Sequence, residues 1–202
     1  MPKKPPKPTD REAAPRFKKK SKAATTRARR HQPLAMFGLM AVLTEMDRSD
    51  HRTAAIVATA MIDNNLALAL QARLRPLSDP EQGRLFEHIA GPLSSLHGKI
   101  EIGYALKLFG HVARDDLHRV RTIRNHFAHD LSVRDFDHEE VAPLCDALYA
   151  PRFLAKATGT AEVTDRRERF LSTASNLATR FGHEAQHVSR PPDALYRFEP
   201  DY

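Results

Sequence analysis

The sequence lacks the features that mark disulfide-rich and membrane-spanning proteins. Among 202 residues there is one cysteine, Cys145, which excludes an internal disulfide framework and fits a reducing compartment. The longest apolar run, Leu34 to Leu43, is about half of what a membrane span needs. The first basic residues are followed by prolines and further charges and not by the apolar core of a signal peptide. We therefore expect a cytoplasmic protein without a membrane partner.

Motifs for common cofactors and metals are also missing. The eight glycines are scattered and follow no predicted strand, which argues against a phosphate-binding loop or a dinucleotide fold. His-Glu-x-x-His and Gly-x-Ser-x-Gly are absent, and one cysteine cannot supply a zinc finger. His126 with His129, and His138 with Glu139, fit no standard metal spacing. The sequence predicts neither a metal site nor a cofactor.

Positive charge is concentrated at the start of the chain. The formal net charge is +7, yet residues 1–33 hold 12 Lys and Arg against two acidic residues, whereas the remainder holds 20 against 23. Six prolines and almost no large apolar side chain predict a disordered tail, because such a segment cannot offset its ordering entropy. The tail either solubilises the protein or binds DNA or RNA non-specifically by charge. The candidate nucleic-acid-binding residues are Lys18, Lys19, Lys20, Lys22, Arg27, Arg29 and Arg30.

Helical periodicity begins at Leu34, and no segment alternates as a strand does. We predict an all-α protein: a single helical bundle of six or seven helices over residues 34–182, preceded by the basic tail and followed by an extended C-terminal tail, 183–202. Asp137 and Thr164 are the expected N-caps of the last two helices, with a loop from Pro151 to Gly159 between them. The predicted helices span about 34–46, 51–74, 80–89, 94–110, 114–129, 137–148 and 164–181.

Two ionised residues fall on predicted apolar faces. Helical projection places Arg124 at the centre of a face formed by Leu117, Val120, Phe127 and Leu131. Asp63 falls among Ile56, Thr59, Ile62, Leu66 and Leu70. Because a buried charge needs a partner, we hypothesise a structural ion pair between Asp63 and Arg124, with Glu101 as the rival partner of Arg124. Loss of Arg124 would then cost roughly 3 to 5 kcal/mol of stability.

A polar strip lies beside that face. Arg121, Asn125 and His129 follow one another at four-residue steps, so Asn125 and His129 should be neighbours. Arg124 and His129 diverge by roughly 140° on an unbroken helix. They can therefore meet over one substrate only if the helix ends or a second chain participates.

Several segments in order resemble the mannitol operon repressor family. They are Arg52-Thr53-Ala54-Ala55-Ile56-Val57, Gly91-Pro92-Leu93-Ser94-Ser95, Lys99-Ile100 with Tyr104-Ala105-Leu106, and Ile123-Arg124-Asn125-His126-Phe127-Ala128-His129. The likeness covers about residues 37–149. It implies a compact helical protein linked to transcriptional control, which associates with itself and with a regulatory protein partner. A homodimer is the expectation.

Arg124 and His129 also resemble the Arg-x4-His signature of the HEPN superfamily of helical bundles. Many members are metal-independent endoribonucleases in which two such motifs share a cleft across a dimer. The resemblance implies that Arg124 stabilises a phosphate, His129 acts as general acid or base, and Asn125 orients them.

A purely structural interpretation stays open beside the catalytic one. Arg124 would pair with Asp63, while Asn125 and His129 would close the helix end by bonding free carbonyls. No helix-turn-helix signature is evident, so direct operator recognition by the folded domain is not expected. The sequence favours a mannitol-repressor-like regulatory protein, with a HEPN-type endoribonuclease or toxin as the alternative.

Overall fold

The described part of the protein is a bundle of α-helices. In this computed structural model the description covers residues 49–74 and 77–187, which belong to one compact unit, Gln32–Tyr202. Helices and no strand occur in these two ranges, which confirms the predicted all-α class. The basic tail, the predicted helix from Leu34 to Met46 and residues 188–202 lie outside the described residues.

Seven α-helices follow one another in this part of the chain, and a π-helical turn, Gly83–Glu87, continues the second of them. Asp50 caps the first helix by accepting a hydrogen bond from the Thr53 amide at 2.9 Å. The helices are α1 His51–Arg73, α2 Asp79–Gln82, α3 Leu96–Ala105, α4 His111–His129, α5 Ala142–Asp146, α6 Ala150–Thr158 and α7 Arg166–Gln186.

Helix α1 runs through the core, and α7 packs along it in the same direction. Asn65 donates to the Ala178 carbonyl at 2.8 Å, and Arg73 forms an ion pair with the buried Glu184. By length and composition α1 is also the one described helix that could cross a membrane, but 67% of its apolar window is buried in the bundle. That burial is what the core helix of a folded domain shows.

Helices α3 and α4 form an antiparallel pair joined by a short connection. Leu108 and Phe109 in that connection are buried, and Arg114 on α4 pairs with Glu101 on α3. The pair packs on α1 through apolar residues of α3 and α4. The buried ones are Ile100, Leu117, Val120, Ile123 and Phe127.

The C-terminal half differs from the sequence prediction in its helix boundaries. Asp137 is not an N-cap, because Pro143 is tolerated only in a first turn and α5 therefore begins at Ala142. Asp137 pairs instead with Arg166 at 2.7 Å. The residues predicted as a loop from Pro151 to Gly159 form most of α6, and the last helix is capped by Asp165 rather than Thr164.

The last helix is also longer than predicted. It continues through Gly182 to Gln186, so the predicted extended tail from residue 183 is wrong for its first four residues. A Cβ at Gly182 would lie 3.3 Å from the Asn65 amide nitrogen, which means that this glycine permits close packing on α1 rather than ending the helix.

Candidate functional site

A cleft of about 390 Å³ lies between the first half of α1, the N-terminus of α3 and the last turns of α4. Its volume falls within the range of small-molecule sites in proteins. Ile56 and Leu96 contribute apolar walls. Its polar lining includes the side chains of Asp63, Ser95, His97, Arg121, Arg124 and Asn125.

Two arginines of α4 supply positive charge to this cleft. Val120, Ile123 and Phe127 anchor the adjoining face of α4 in the core, and Arg121 and Arg124 lie half-buried beside it at the surface of the bundle. Arg124 donates to the Asn125 side-chain oxygen at 3.2 Å. The Arg121 Nε is buried and makes no hydrogen bond. Neither guanidinium forms an ion pair with the part of the chain that the structure describes.

The predicted ion pair between Asp63 and Arg124 is wrong. Asp63 accepts a hydrogen bond from the ammonium group of Lys99 at 2.7 Å, and the Lys99 side chain is 6% exposed. Lys99 reaches Asp63 because α3 packs on α1, a contact between two helices that periodicity within one helix does not reveal. The rival partner is wrong as well, since Glu101 binds Arg114 and His118. Lys99 neutralises the charge of Asp63, so the two arginines give the cleft a net positive charge.

The N-terminus of α3 adds to the positive potential. Ser95 caps this helix by accepting a hydrogen bond from the Gly98 amide at 3.1 Å. Backbone amides of a first helical turn carry partial positive charge and favour anions nearby. Two guanidiniums and a helix N-terminus at one cleft form an arrangement that binds an anion, and guanidinium geometry matches phosphate or carboxylate oxygens.

His129 faces a different cavity. It lies with His126 and Asp130 in a second depression of about 370 Å³, also lined by Thr122 and Asn125. Asn125 lines both cavities, whereas Arg124 lines only the first. The structure therefore does not bring Arg124 and His129 together within one chain, as the divergence of the two positions on the helix predicted.

The C-terminus of α4 is held by a residue of α1. Arg52 donates to the carbonyl of Phe127, to that of Asp130 at 3.1 Å and to that of Val133 at 2.9 Å. The structural hypothesis assigned this closure to Asn125 and His129, and that assignment is wrong. Leu131, predicted on the apolar face, follows the end of the helix and is 86% exposed. Arg52 thus fixes where the Arg124–His129 segment ends.

A group of side chains that could hold a metal ion borders the cleft. His97 and Glu101 on α3 approach His118 on α4, with one potential ligand atom of each within 4.8 Å of the others. The Arg114 side chain, hydrogen-bonded to Glu101, lowers the pKa of that carboxyl below its ordinary value of 4.5. Sequence analysis predicted no metal site and missed this group. Its one local signal was the four-residue spacing of His97 and Glu101.

The nucleic-acid-binding residues predicted in the tail, from Lys18 to Arg30, lie outside the described residues. Comparison of the chain with protein-family models, with curated proteins and with solved structures finds no match. The resemblances to the mannitol operon repressor family and to the HEPN superfamily therefore stay predictions.

Proposed function

We propose that the protein is a regulatory helical protein whose bundle binds an anionic ligand, with a phosphate group as the preferred anion. The observation that carries the proposal is that Arg121 and Arg124 line one cleft and that neither has a carboxylate partner among the described residues. An arginine that is half-buried and unpaired is suited to a ligand that supplies the missing negative charge. The Arg121 Nε, a buried donor without an acceptor, strengthens the case.

The regulatory part of the proposal rests on the resemblance to the mannitol operon repressor family. It includes self-association as a homodimer, a regulatory protein partner, a cytoplasmic location and non-specific contact with DNA or RNA through residues 1–33. Deletion of residues 1–33 should remove most of the salt-sensitive nucleic-acid binding, because twelve basic residues lie there. Undiminished binding after the deletion would assign that contact to the helical domain instead.

Calorimetric titration of the full chain with inorganic pyrophosphate tests the anion cleft. Arg121→Ala and Arg124→Ala should each weaken binding by about 10-fold or more, since a hydrogen bond to a charged group contributes about 1.5 to 3 kcal/mol. Arg134→Ala is the matched control, because Arg134 is exposed and does not line the cleft. Equal affinities of the Arg124 and Arg134 variants would refute the assignment.

The second candidate function is a metal-independent endoribonuclease assembled across a dimer. Two observations favour it: His129 is exposed, and Asn125 lines both its cavity and that of Arg124. A second chain could thus place its His129 near Arg124, where an imidazole and a guanidinium suit the cleavage of a phosphodiester.

Complementation between inactive variants separates this candidate from simple anion binding. Arg124→Ala and His129→Ala should each abolish cleavage of labelled RNA in excess chelator. Mixing them should restore about a quarter of the activity, because half of the dimers are mixed and each keeps one of two composite sites. Absence of cleavage by the wild-type chain on varied RNAs would eliminate the enzyme.

A further inference from the structure

Three side chains with metal-binding atoms converge where α3 packs on α4. The His118 Nε2 lies 2.8 Å from the Glu101 Oε1, and the rings of His97 and His118 are 5.6 Å apart between centroids. One ligand atom from each of the three residues lies within 4.8 Å of the other two. In residues 49–74 and 77–187 this is the only group of three such side chains.

The fold holds these side chains in place. His97 and Glu101 lie four residues apart and so share one face of α3. His118 is presented by the antiparallel α4, and the connection between the helices is buried through Leu108 and Phe109. A Cβ at Gly103 would lie 2.8 Å from the Phe109 ring, which shows how closely the connection packs on α3. The three potential ligands therefore stand on rigid elements.

We propose that His97, Glu101 and His118 bind a divalent transition-metal ion, with Zn²⁺ as the preferred ion. Two imidazole nitrogens and one carboxylate oxygen are a donor set that Zn²⁺ accepts, with the fourth position left to water or a ligand. Donor atoms around a tetrahedral Zn²⁺ at about 2.0 to 2.2 Å lie roughly 3.3 to 3.6 Å apart. The separations in the cluster therefore need only small side-chain adjustments.

Arg114 does not close the site to a metal ion. Its NH2 donates to Glu101 Oε2, and its Nε lies 3.3 Å from Glu101 Oε1, the atom that His118 also approaches. A metal ion between His118 and Oε1 would replace the hydrogen bond that now joins them. Arg114 would keep its contact with Oε2 and hold the carboxylate in orientation, as outer partners of metal ligands do.

Other histidines among the described residues are less suited to bind a metal ion. His183 and His187 stack with ring centroids 4.0 Å apart, and His126 lies near Glu140 at 3.2 Å. Each of these pairs offers at most two ligands. His97 borders both the metal site and the anion cleft, but binding of a metal ion can be measured without any anion ligand.

Titration of the full chain with Co²⁺ and with Zn²⁺ tests the proposal. We expect one Co²⁺ per chain, with the intense visible absorption of tetrahedral coordination, displaced by Zn²⁺. His97→Ala, His118→Ala and Glu101→Gln should each weaken Zn²⁺ binding by at least about 100-fold, because even outer partners of ligands contribute 10- to 100-fold. His88→Ala, which removes an exposed histidine elsewhere, should leave the affinity unchanged.

His97→Ala is the decisive variant, because His97 is exposed and its loss should not disturb folding. Zn²⁺ should raise the melting temperature of the wild type and of His88→Ala but not that of His97→Ala, since an ion that binds only the folded state stabilises it. Equal Zn²⁺ affinities of the His97 and His88 variants would overturn the proposal and assign any binding to scattered histidines. Absence of Zn²⁺ binding by the wild type would overturn it as well.

Discussion

Two arginines illustrate how surroundings decide the role of a residue. Arg169 is buried, pairs with Glu162 and donates to the carbonyls of Cys145, Val163, Asp146 and Leu148. Arg124 is half-buried and donates to Asn125. The first guanidinium completes the hydrogen bonding around the end of α5, whereas the second has capacity left for a ligand.

Stability measurements should separate these two roles. We expect Arg169→Ala to lower the free energy of unfolding by about 3 kcal/mol, because several buried carbonyls lose their donor. Arg124→Ala should cost less than about 1 kcal/mol, because no carboxylate is left unpaired. Urea denaturation followed by circular dichroism gives both values. A larger loss for Arg124 than for Arg169 would contradict the assignment of Arg124 to a ligand.

The one cysteine is expected to be inert in the folded protein. Cys145 is fully buried, and burial raises the pKa of its thiol to about 12. Since the thiolate is the reactive form, a disulfide reagent at about pH 8 should modify Cys145 only on unfolding. Rapid modification of the native protein, measured against a sample in denaturant, would show that the region around α5 opens.

The helix boundaries show which elements could be predicted from sequence patterns alone. Local signals predicted α1 and α4 closely, because a long apolar period and a terminal polar residue are written into consecutive positions. Asp137 resembles an N-cap in residue type and spacing, but a helix beginning there would place Pro143 in its interior, and the helix begins at Ala142 instead. The last helix was predicted to end just before Gly182, but this glycine lies inside the helix, because a glycine that ends a helix and one that admits a neighbouring helix look alike in sequence.

The first turn of α3, which lines the cleft, requires a glycine at position 98. A Cβ at Gly98 would lie 2.1 Å from the Pro92 carbonyl oxygen. Gly98→Ala should therefore displace the turn at Pro92 or the first turn of α3, which carries Ser95 and His97 into the cleft. We expect lower thermal stability together with weaker pyrophosphate binding.

Gly103→Ala serves as the comparison for this prediction. Its Cβ would press on the buried ring of Phe109 rather than on backbone, and Gly103 does not line the cleft. Thermal melts and calorimetric titration of both variants provide the measurement. The assignment of Gly98 would be wrong if both glycine variants bound pyrophosphate equally well at a temperature where both are folded.

At the scale of the whole molecule, carboxyl groups set the response to acid. The pKa values of Glu101, Asp146 and Glu162 are lowered mainly by hydrogen bonds from Arg114, Arg166 and Arg169 respectively. Asp116 differs, because desolvation by burial raises its pKa despite hydrogen bonds from the Tyr149 and Ala150 amides. Among the described residues the pKa values of Asp50 and Asp130 are lowered as well, and we expect the five lowered carboxyls together to outweigh the opposite contribution of Asp116.

We therefore expect stability to fall as the pH drops below about 4.5. A carboxyl with a lowered pKa in the folded state stabilises the protein above its ordinary pKa and loses that contribution on protonation. Glu101→Gln should remove part of this dependence, so that the difference in unfolding free energy from the wild type shrinks as the pH falls. Denaturation curves in excess chelator at several pH values measure it. A difference that grows toward low pH would contradict the role of Arg114.

The candidate site shows which part of a function a sequence can disclose. Projection along one helix separated Arg124 from His129, because the angle between two positions follows from the helical repeat. The partners of Asp63, Glu101 and the C-terminus of α4 could not be predicted, because Lys99, His118 and Arg52 reach them from other helices. Contacts between helices depend on packing, which periodicity does not encode.

A site-resolved titration tests the central claim, that Arg121 and Arg124 form an anion cleft separate from His129. Amide chemical shifts of the full chain would be followed as inorganic pyrophosphate is added, which distinguishes the cleft from the basic tail. We predict saturable shifts concentrated at residues 94–97 and 121–125, and their loss in Arg124→Ala but not in His129→Ala. Shifts centred on His126–Asp130, or unchanged in Arg124→Ala, would contradict the account.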